Sequence, residues 1–309
     1  MKKIISAICL MLLASFFAGC KKVDLTASYI YIDTGAFEVN VSQYNNEHNT
    51  NYDQGQLASM ASQKFPDAWI FVNGKDLGTW ELPCKIPILE TDSAEVMIYP
   101  GVKLNGVSTS RPRYPFVEPY KRKLGLKASE VLEIGKLPLK YASTTKFEFI
   151  ENFDTDYNGI FTSSDSTTVN FEHIVDPDNP ANRIGRISLV DTVDEFEIIS
   201  ANGVDNVCMD FDGKVPSYVF LEMDYKCDVE DAQIYVGMLI DKSTTSVTTY
   251  EPLVIVNASS QWKKIYINLT QSVARNQIYA KNYRVQLSGG RSDDNPVHFY
   301  FDNIKVIYQ

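Results

Sequence analysis

The sequence has few of the side chains that bind transition metals or act as catalytic nucleophiles. Its three histidines, His48, His173 and His298, stand far apart, and its five cysteines show no paired spacing. Structural zinc sites use closely spaced Cys and His ligands, so we expect no transition-metal site. Nucleophile-elbow, phosphate-loop and His-Glu-x-x-His motifs are also missing. The sequence therefore favours a protein that is not an enzyme, although a glycosidase needs only two carboxylates on any β fold and stays open as an alternative.

Basic residues are in the minority. The chain has 29 Lys and Arg against 39 Asp and Glu, a formal net charge of -10. Nucleic-acid binding depends on Lys and Arg that neutralise phosphates, and an anionic surface repels them. We therefore expect no nucleic-acid partner.

Long apolar runs are missing after the first twenty residues. These begin with Lys2 and Lys3, continue through the apolar stretch 4–17, and end in Ala18-Gly19-Cys20. This is the layout of a secretory signal peptide, predicted over residues 1–19. Its end resembles the lipobox of bacterial lipoproteins, which implies that Cys20 carries palmitate-type acyl chains. More than one such chain is needed for stable membrane attachment.

The residue after the predicted lipidated cysteine is Lys21. An aspartate there would signal retention in the inner membrane, so lysine favours an outer-membrane lipoprotein, on either its periplasmic or its surface face. Apart from Cys9 and Cys20, the chain has Cys84, Cys208 and Cys227. A disulfide between Cys208 and Cys227 and three separate buried thiols remain equal alternatives in an oxidising envelope.

Short apolar or alternating runs separated by Gly, Asn, Asp and Pro predict an all-β chain. The boundary between two domains falls in 140–146, giving an N-terminal domain over 20–143 and a C-terminal domain over 144–309. One short helix is expected at 54–64 or 128–132. The predicted strands are Ser28–Ile32, Ala36–Val41, Ala68–Val72, Glu95–Tyr99, Lys146–Ile150, Arg186–Val190, Val219–Tyr225, Gln233–Leu239, Lys263–Leu269 and His298–Ile307.

The segment 68–83 predicts a β-hairpin. Asn73-Gly74 supplies the two residues that accept positive φ in a primed turn. Together with the later run 94–101, the hairpin resembles the PEGA-type β-sandwich, which implies an envelope adaptor without catalysis. Any immunoglobulin-like sandwich is the alternative. The loop Arg111–Phe116, rich in aromatics and proline, is either a docking surface or a crossover whose rings pack on its own domain.

The C-terminal domain resembles a jelly-roll of the carbohydrate-binding-module or galactose-binding-like type. The resemblance rests on Phe153-Asp154, on 261–269 and on the terminal stretch 299–306 with Asp302-Asn303-Ile304. Such modules often hold a structural calcium through hard oxygen ligands. The resemblance therefore implies Asp302, and less directly Asp154, as calcium ligands. The alternative for Asp302 is a turn cap.

Sugar binding in such modules uses exposed aromatic rings and a few polar side chains. Tyr250, Tyr279 and Tyr283 lie in or near polar segments and are the candidates, whereas Trp262 begins a strand and is expected in the core. The sequence does not choose among these tyrosines.

Taken together, the leader and the two β domains resemble two-domain lipoproteins of Bacteroidota. We predict a non-enzymatic envelope lipoprotein whose jelly-roll binds a glycan or an envelope protein partner. The alternative is a structural or assembly subunit of a surface complex that binds no sugar.

Overall fold

The computed structural model describes residues 26–90, 92–155, 159–200, 209, 211–243, 245 and 247–309. Cys20 and Cys208 lie outside these residues. Cys84 and Cys227 are free, buried thiols. None of the helices in the described ranges is long and apolar enough to cross a bilayer.

Three small sheets form the first half of the chain. Strands β3, β4, β6 and β7 make an antiparallel sheet in the order β4-β3-β6-β7, β1 lies between β5 and β8, and β2 pairs with β9. The strand bounds are β1 Ser28–Ile32, β2 Phe37–Val39, β3 Asp67–Val72, β4 Lys75–Glu81, β5 Cys84–Ile88, β6 Ser93–Gly101, β7 Tyr120–Gly125, β8 Val131–Glu133 and β9 Leu137–Leu139.

The hairpin predicted from Asn73-Gly74 is confirmed. It joins β3 to β4, and the two turn residues have φ of 48° and 77°. Asn accepts this left-handed backbone better than most residues, and Gly accepts it without cost, so this pair fixes the turn and the register. The PEGA-type family resemblance itself stays a prediction.

The structure has three short helices, α1 Tyr44–His48, α2 Gln54–Ala61 and α3 Thr270–Asn276. Helix α2 lies at one of the two predicted positions and begins with a capping box, in which Asp53 accepts from the Gln56 N–H while the Gln56 side chain accepts from the Asp53 N–H. At the other predicted position a turn leads into β8. The sequence analysis missed α1 and α3.

Two packed sheets form the second half of the chain. One has the order β12-β13-β20-β15-β18, with β10 also paired to β20, and the other has the order β11-β14-β19-β16-β17. The bounds are β10 Lys146–Glu151, β11 Thr162–Ser163, β12 Glu172–Asp176, β13 Asn179–Leu189, β14 Glu195–Ile199, β15 Val219–Cys227, β16 Gln233–Lys242, β17 Thr248–Asn257, β18 Lys263–Asn268, β19 Ala280–Gly290 and β20 Val297–Tyr308.

The prediction of an all-β chain made of sheet sandwiches is confirmed. Each of the ten predicted strands coincides with a strand or overlaps one. Their alternating patterns place apolar side chains on one face, which a packed sheet must bury. The domain boundary at 143/144 stays a prediction.

Two hydrophobic cores hold the chain together, and the first is shared. It contains the N-terminal apolar side chains together with Phe147, Ile150, Phe220, Tyr266 and Ile307 of the second half. The second core fills the space between the six-stranded and five-stranded sheets. The N-terminal half therefore packs directly on the outer side of the six-stranded sheet.

The loop Arg111–Phe116 packs inward, as the crossover alternative expected. Tyr114 and Phe116 are fully buried and contact the ring of Phe220 edge-on. Arg111 pairs with the buried carboxylate of Asp67. The rings of this loop help to fasten the two halves and do not form an exposed docking surface.

Candidate functional site

The two sheets of the C-terminal sandwich differ in what covers them. On β15, Leu221 and Met223 face the sandwich core, whereas Phe220 and Glu222 contact the N-terminal half. The outer face of the six-stranded sheet is thus covered at β10, β15, β18 and the end of β20, whereas Arg186 and Tyr300 on the rest of that face stay partly exposed. The five-stranded sheet buries one face and leaves the other accessible among the described residues.

This accessible surface, the open face, is formed by the side chains that alternate with the core residues of β14, β16, β17 and β19. On β16, for example, Ile234, Val236 and Met238 are fully buried, so Tyr235 and Gly237 lie on the opposite side. Strand pairing sets its members side by side. The open face consists of Glu197, Tyr235, Gly237, Leu239, Asp241, Tyr250, Ile255, Arg284, Gln286 and Ser288.

The ring of Tyr250 lies across the backbone of Gly237. A Cβ atom at Gly237 would stand only 2.2 Å from Cε2 of Tyr250, so a side chain there would displace the ring. A glycine within a strand often marks such a close approach. The other side of the Tyr250 ring is accessible, since the residue is 44% exposed. Burial, and secondarily the charge of Glu197, raises the pKa of Tyr250.

Planar polar groups lie beside this ring. The Nε2 atom of Gln286 donates to Oε2 of Glu197 at 2.8 Å, and Nη2 of Arg284 donates to Oδ1 of Asp241 at 2.7 Å. Each pair fixes its partner side chains on the sheet. The partly exposed Glu197 carboxylate still has lone pairs left for a ligand, whereas Gln286 is buried and holds that carboxylate in place.

Two shallow depressions adjoin at the end of the open face where β19 ends, and both include Tyr235. One, of about 410 Å³, is bordered by Thr167, Glu197 and Ser288, and the other, of about 320 Å³, by Gln233 and Asp293. Tyr235, Gly290 and Arg291 line both. Tyr235 is 41% exposed, so its ring is accessible where the two depressions adjoin.

The structure separates the aromatic candidates of the sequence. Tyr250 lies on the open face, and Tyr279 is exposed but precedes β19, outside this face. Tyr283 is buried and donates to the carbonyl oxygen of Val273 at 3.0 Å, so it was wrongly counted among the exposed candidates. Trp262 is half-buried and precedes β18, so it is not a core residue.

Sequence reasoning missed Tyr235 and the polar pairs. The strict alternation of β16 gives a usable signal for Tyr235, because it stands between the buried Ile234 and Val236. The pair of Glu197 and Gln286 gives no such signal. Their residues are 89 positions apart and meet only because β14 pairs with β19.

The two predicted calcium ligands sit in different surroundings. Asp302 is buried, its Oδ2 accepts from Nδ2 of Asn182 at 2.9 Å, and its Oδ1 accepts from the Asn303 N–H at 2.7 Å. Burial raises the pKa of Asp302 to about 7. Asp154 is exposed and accepts from Nδ2 of Asn152 at 2.7 Å. Asp302 lies within β20 and not at a turn, so these hydrogen bonds hold its carboxylate within the strand.

A buried carboxylate that the sequence analysis overlooked organises the loop around Asp154. Glu151, at the end of β10, accepts from the Phe153 N–H at 3.0 Å and from the Ile160 N–H at 2.7 Å. Among the described residues, no group of three or more His, Cys, Asp or Glu side chains could hold a metal ion. These residues therefore do not by themselves supply a calcium ligand set, and the calcium ion stays a prediction.

Comparison with known proteins gives structural likeness only. No protein-family model matches the sequence, and no curated protein sequence matches it. One similar solved structure concerns the promiscuous specificity of carbohydrate-binding modules from the β-sandwich superfamily. The alignment covers 79% of this chain and 85% of the other chain, at 12% identity and a TM-score of 0.37.

Two further similar structures cover mainly half of the chain. The CBM22-1 xylan-binding domain from Paenibacillus barcinonensis Xyn10C aligns with 53% of this chain and 94% of its own, at 9% identity and a TM-score of 0.38. The family 11 carbohydrate-binding module from Clostridium thermocellum, in complex with a β-1,3-1,4-mixed-linked tetrasaccharide, aligns with 52% and 94%, at 14% identity and a TM-score of 0.36. Structural similarity at these low identities and TM-scores does not indicate which ligand this chain binds.

Proposed function

We propose that this protein is a non-catalytic, glycan-binding lipoprotein of the bacterial outer membrane, which holds its ligand on the open face. The observation that carries the proposal is the Tyr250 ring. It lies over Gly237 and is 44% exposed, next to the hydrogen-bonded pair of Glu197 and Gln286.

A sugar ring suits this arrangement for chemical reasons. Its C–H face is apolar and packs on an aromatic ring, whereas its hydroxyls donate to carboxylates and accept from amides and guanidinium groups. The open face has two partly exposed rings, Tyr235 and Tyr250, with Glu197, Gln286 and Arg284 between or beside them. A surface built from a few fixed polar groups among apolar ones is the usual composition of a ligand site.

The shape of the surface favours a chain of sugars over a single buried one. The two depressions share Tyr235 and Arg291, so together they form one shallow groove at the end of the sheet where β19 ends. Arg291 is held rigidly, because its Nη2 atom lies 2.7 Å from Oδ1 of Asp194 and its side chain is almost fully buried. A groove of this kind contacts several residues of a polysaccharide along its length.

The membrane attachment belongs to the same proposal and depends on Cys20. Acyl chains on this cysteine would tether the two sandwiches to the outer membrane. A Cys20→Ala variant is expected to leave the membrane fraction and to appear in the soluble envelope fraction. Unchanged fractionation would contradict the lipoprotein assignment but not the glycan site.

A glycan array probed with the purified full chain tests the binding site. We expect at least one polysaccharide to bind, and the Tyr250→Ala and Tyr235→Ala variants to bind about tenfold more weakly or worse, equivalent to about 1.4 kcal/mol. Tyr279→Ala is the matched control, since Tyr279 is exposed but lies outside the open face. A silent array, or equal losses in all three variants, would overturn the proposal.

A further inference from the structure

The five-stranded sheet ends in β17, a strand of 10 residues. It pairs with β16 on one side, and no other described strand pairs with its second edge. An unpaired edge presents backbone N–H and C=O groups that can pair with another chain.

The other edge strands carry recognisable protection. The edge of β18 is covered by the loop of Leu104 and Asn105, whose N–H donates to the Tyr266 carbonyl at 2.7 Å. The edge strand β11 has only 2 residues, and β2, β8 and β9 have 3 each. Short length and charged side chains are the common ways to blunt an edge. The charged residues on the remaining edges are Lys75, Asp76 and Glu81 on β4, Lys85 on β5, Lys121, Arg122 and Lys123 on β7, Lys146, Glu148 and Glu151 on β10, and Glu172 and Asp176 on β12.

Strand β17 is protected only in its first half. Glu251 lies there, held by Arg275 of α3 at 2.5 Å, and Pro252 and a β-bulge follow. Both the proline and the bulge hinder further pairing. The second half, 253–257, has no charge, no proline and no bulge beyond Val254, and Ile255 within it is 57% exposed.

In this second half, alternate backbone N–H and C=O groups point away from β16, toward the edge of the sheet. The Ala258 N–H donates to the Ala232 carbonyl at 2.9 Å, so Ala258 faces β16. Because ladder groups alternate along an antiparallel strand, Val256 also faces β16, whereas the N–H and C=O of Ile255 and Asn257 point to the open edge.

The neutrality of this segment decides the kind of partner. A symmetric contact brings the same surface patch of two copies together, so a charged edge would repel itself. The chain as a whole has a net charge of -10, yet 253–257 is uncharged. An antiparallel pairing about Val256 sets Ile255 of one copy opposite Asn257 of the other. Each of these pairs can exchange both of its N–H···O bonds.

We propose that the segment 253–257 is a self-association edge, through which two copies of this chain pair their β17 strands antiparallel and join their five-stranded sheets into one. The pairing places two open faces side by side on a continuous sheet. The inference does not depend on the proposed glycan binding, since it rests on the edge alone.

Sedimentation velocity tests the pairing. The full chain carrying Cys20→Ala, which removes the predicted lipidation site, is expected to form dimers as its concentration rises. Ile255→Lys introduces like charges at the contact and should leave only monomer at the same concentrations. Ile278→Lys is the matched control, because Ile278 is 77% exposed and lies outside the segment 253–257. It should dimerise like the parent.

A parent that stays monomeric at all concentrations, or equal behaviour of the two lysine variants, would overturn the proposal. The register is tested separately by mixing a tagged Ile255→Cys chain with an untagged Asn257→Cys chain and adding a short bismaleimide. We expect a tagged–untagged dimer well above the amount formed by a Lys123→Cys chain, which places a cysteine on the charged edge of β7. Cross-linking no greater than this control would overturn the pairing even if a lysine variant failed to fold.

Discussion

The Nζ atom of Lys305 lies 3.5 Å from Oε2 of Glu222, and both side chains are fully buried between the two halves of the chain. Lys305 also donates to the Ser59 carbonyl at 2.7 Å, and Glu222 accepts from Oη of Tyr114 at 2.5 Å and from Nε2 of Gln63 at 2.9 Å. Lys305 and Glu222 are thus each hydrogen-bonded to residues of the first half of the chain. Such a network stabilises little in itself, but its geometry fixes how the halves pack.

Removal of the ammonium group tests this network. Lys305→Met leaves the Glu222 carboxylate buried without its cation, so we expect the free energy of unfolding to fall by about 3–5 kcal/mol. Urea denaturation at about pH 6, below the pKa of about 7 that burial gives Lys305, measures the change. Lys281→Met, at an exposed lysine on β19, is the control and should unfold like the parent. A loss below about 1 kcal/mol would contradict a stabilising contact between Lys305 and Glu222.

The same lysine predicts a pH dependence. Burial, the largest cause, and the charge of Lys264 lower the pKa of Lys305 to about 7, against the opposing charges of Glu222 and Asp224. The unfolded chain, with a lysine pKa of about 10.4, then binds more protons above pH 7, so stability rises with pH from about 7 to 10.

The rise in stability is measured by urea denaturation midpoints at about one-unit steps across that window, at pH 6.5, 7.5, 8.5 and 9.5. Lys305→Met should lack it. Above about pH 9 the buried thiols begin to oppose this rise, because burial raises the pKa of Cys84 and Cys227 to about 11 and the unfolded chain loses their protons first. Above about pH 10 the buried tyrosines Tyr114, Tyr141 and Tyr266, whose pKa burial also raises, act in the same direction. The same pH profile in parent and variant would refute the assignment to Lys305.

Gly185 on β13 is required by a neighbouring ring. A Cβ atom there would stand 2.4 Å from Cε1 of Phe153, a fully buried residue that follows β10. Gly185→Ala should therefore lower the free energy of unfolding by about 1–3 kcal/mol through overpacking. Gly125→Ala is the control, since a Cβ atom at Gly125, also on a strand, would meet no atom within 4 Å. Equal unfolding curves for the two variants would show that the ring yields freely.

Gly237→Ala should weaken glycan binding without unfolding the sandwich. The new methyl group would displace the Tyr250 ring from the sheet, because the two would come within 2.2 Å. We expect affinity to fall about tenfold, as for Tyr250→Ala, and the double variant to lose no more than either single one. Isothermal titration with the polysaccharide found on the array measures this. Additive losses would indicate that Gly237 acts independently of Tyr250.

The predicted calcium ion is tested with the full chain after chelator treatment. If Asp302 is a ligand, added calcium should raise the melting temperature, because an ion bound only to the folded state stabilises it. Asp302→Ala should abolish the increase and Asp165→Ala, at an exposed loop residue, should retain it. An unchanged melting temperature on calcium addition would contradict the calcium site and leave Asp302 with only its hydrogen bonds to Asn182 and Asn303.

The sequence predicted the fold better than the site. Local signals were sufficient for the strands and for the Asn73-Gly74 turn, since each depends on neighbouring residues only. The same signals identified Tyr250 as a candidate but also Tyr283, whose burial comes from packing against α3. Trp262 failed for the converse reason, because it precedes β18 and its side chain is only half-buried.

By itself, the sequence determined that the chain is built of strands, where most of them lie and which side chains alternate, because alternation and turn chemistry act over a few residues. Only the tertiary structure decided that the N-terminal half covers the six-stranded sheet, leaving the five-stranded one accessible. That choice rests on contacts such as Gln63 with Glu222, which are 159 positions apart. Contacts between residues so far apart produce no periodic pattern in the sequence. They form only when the two halves pack together, so the sequence alone did not predict them.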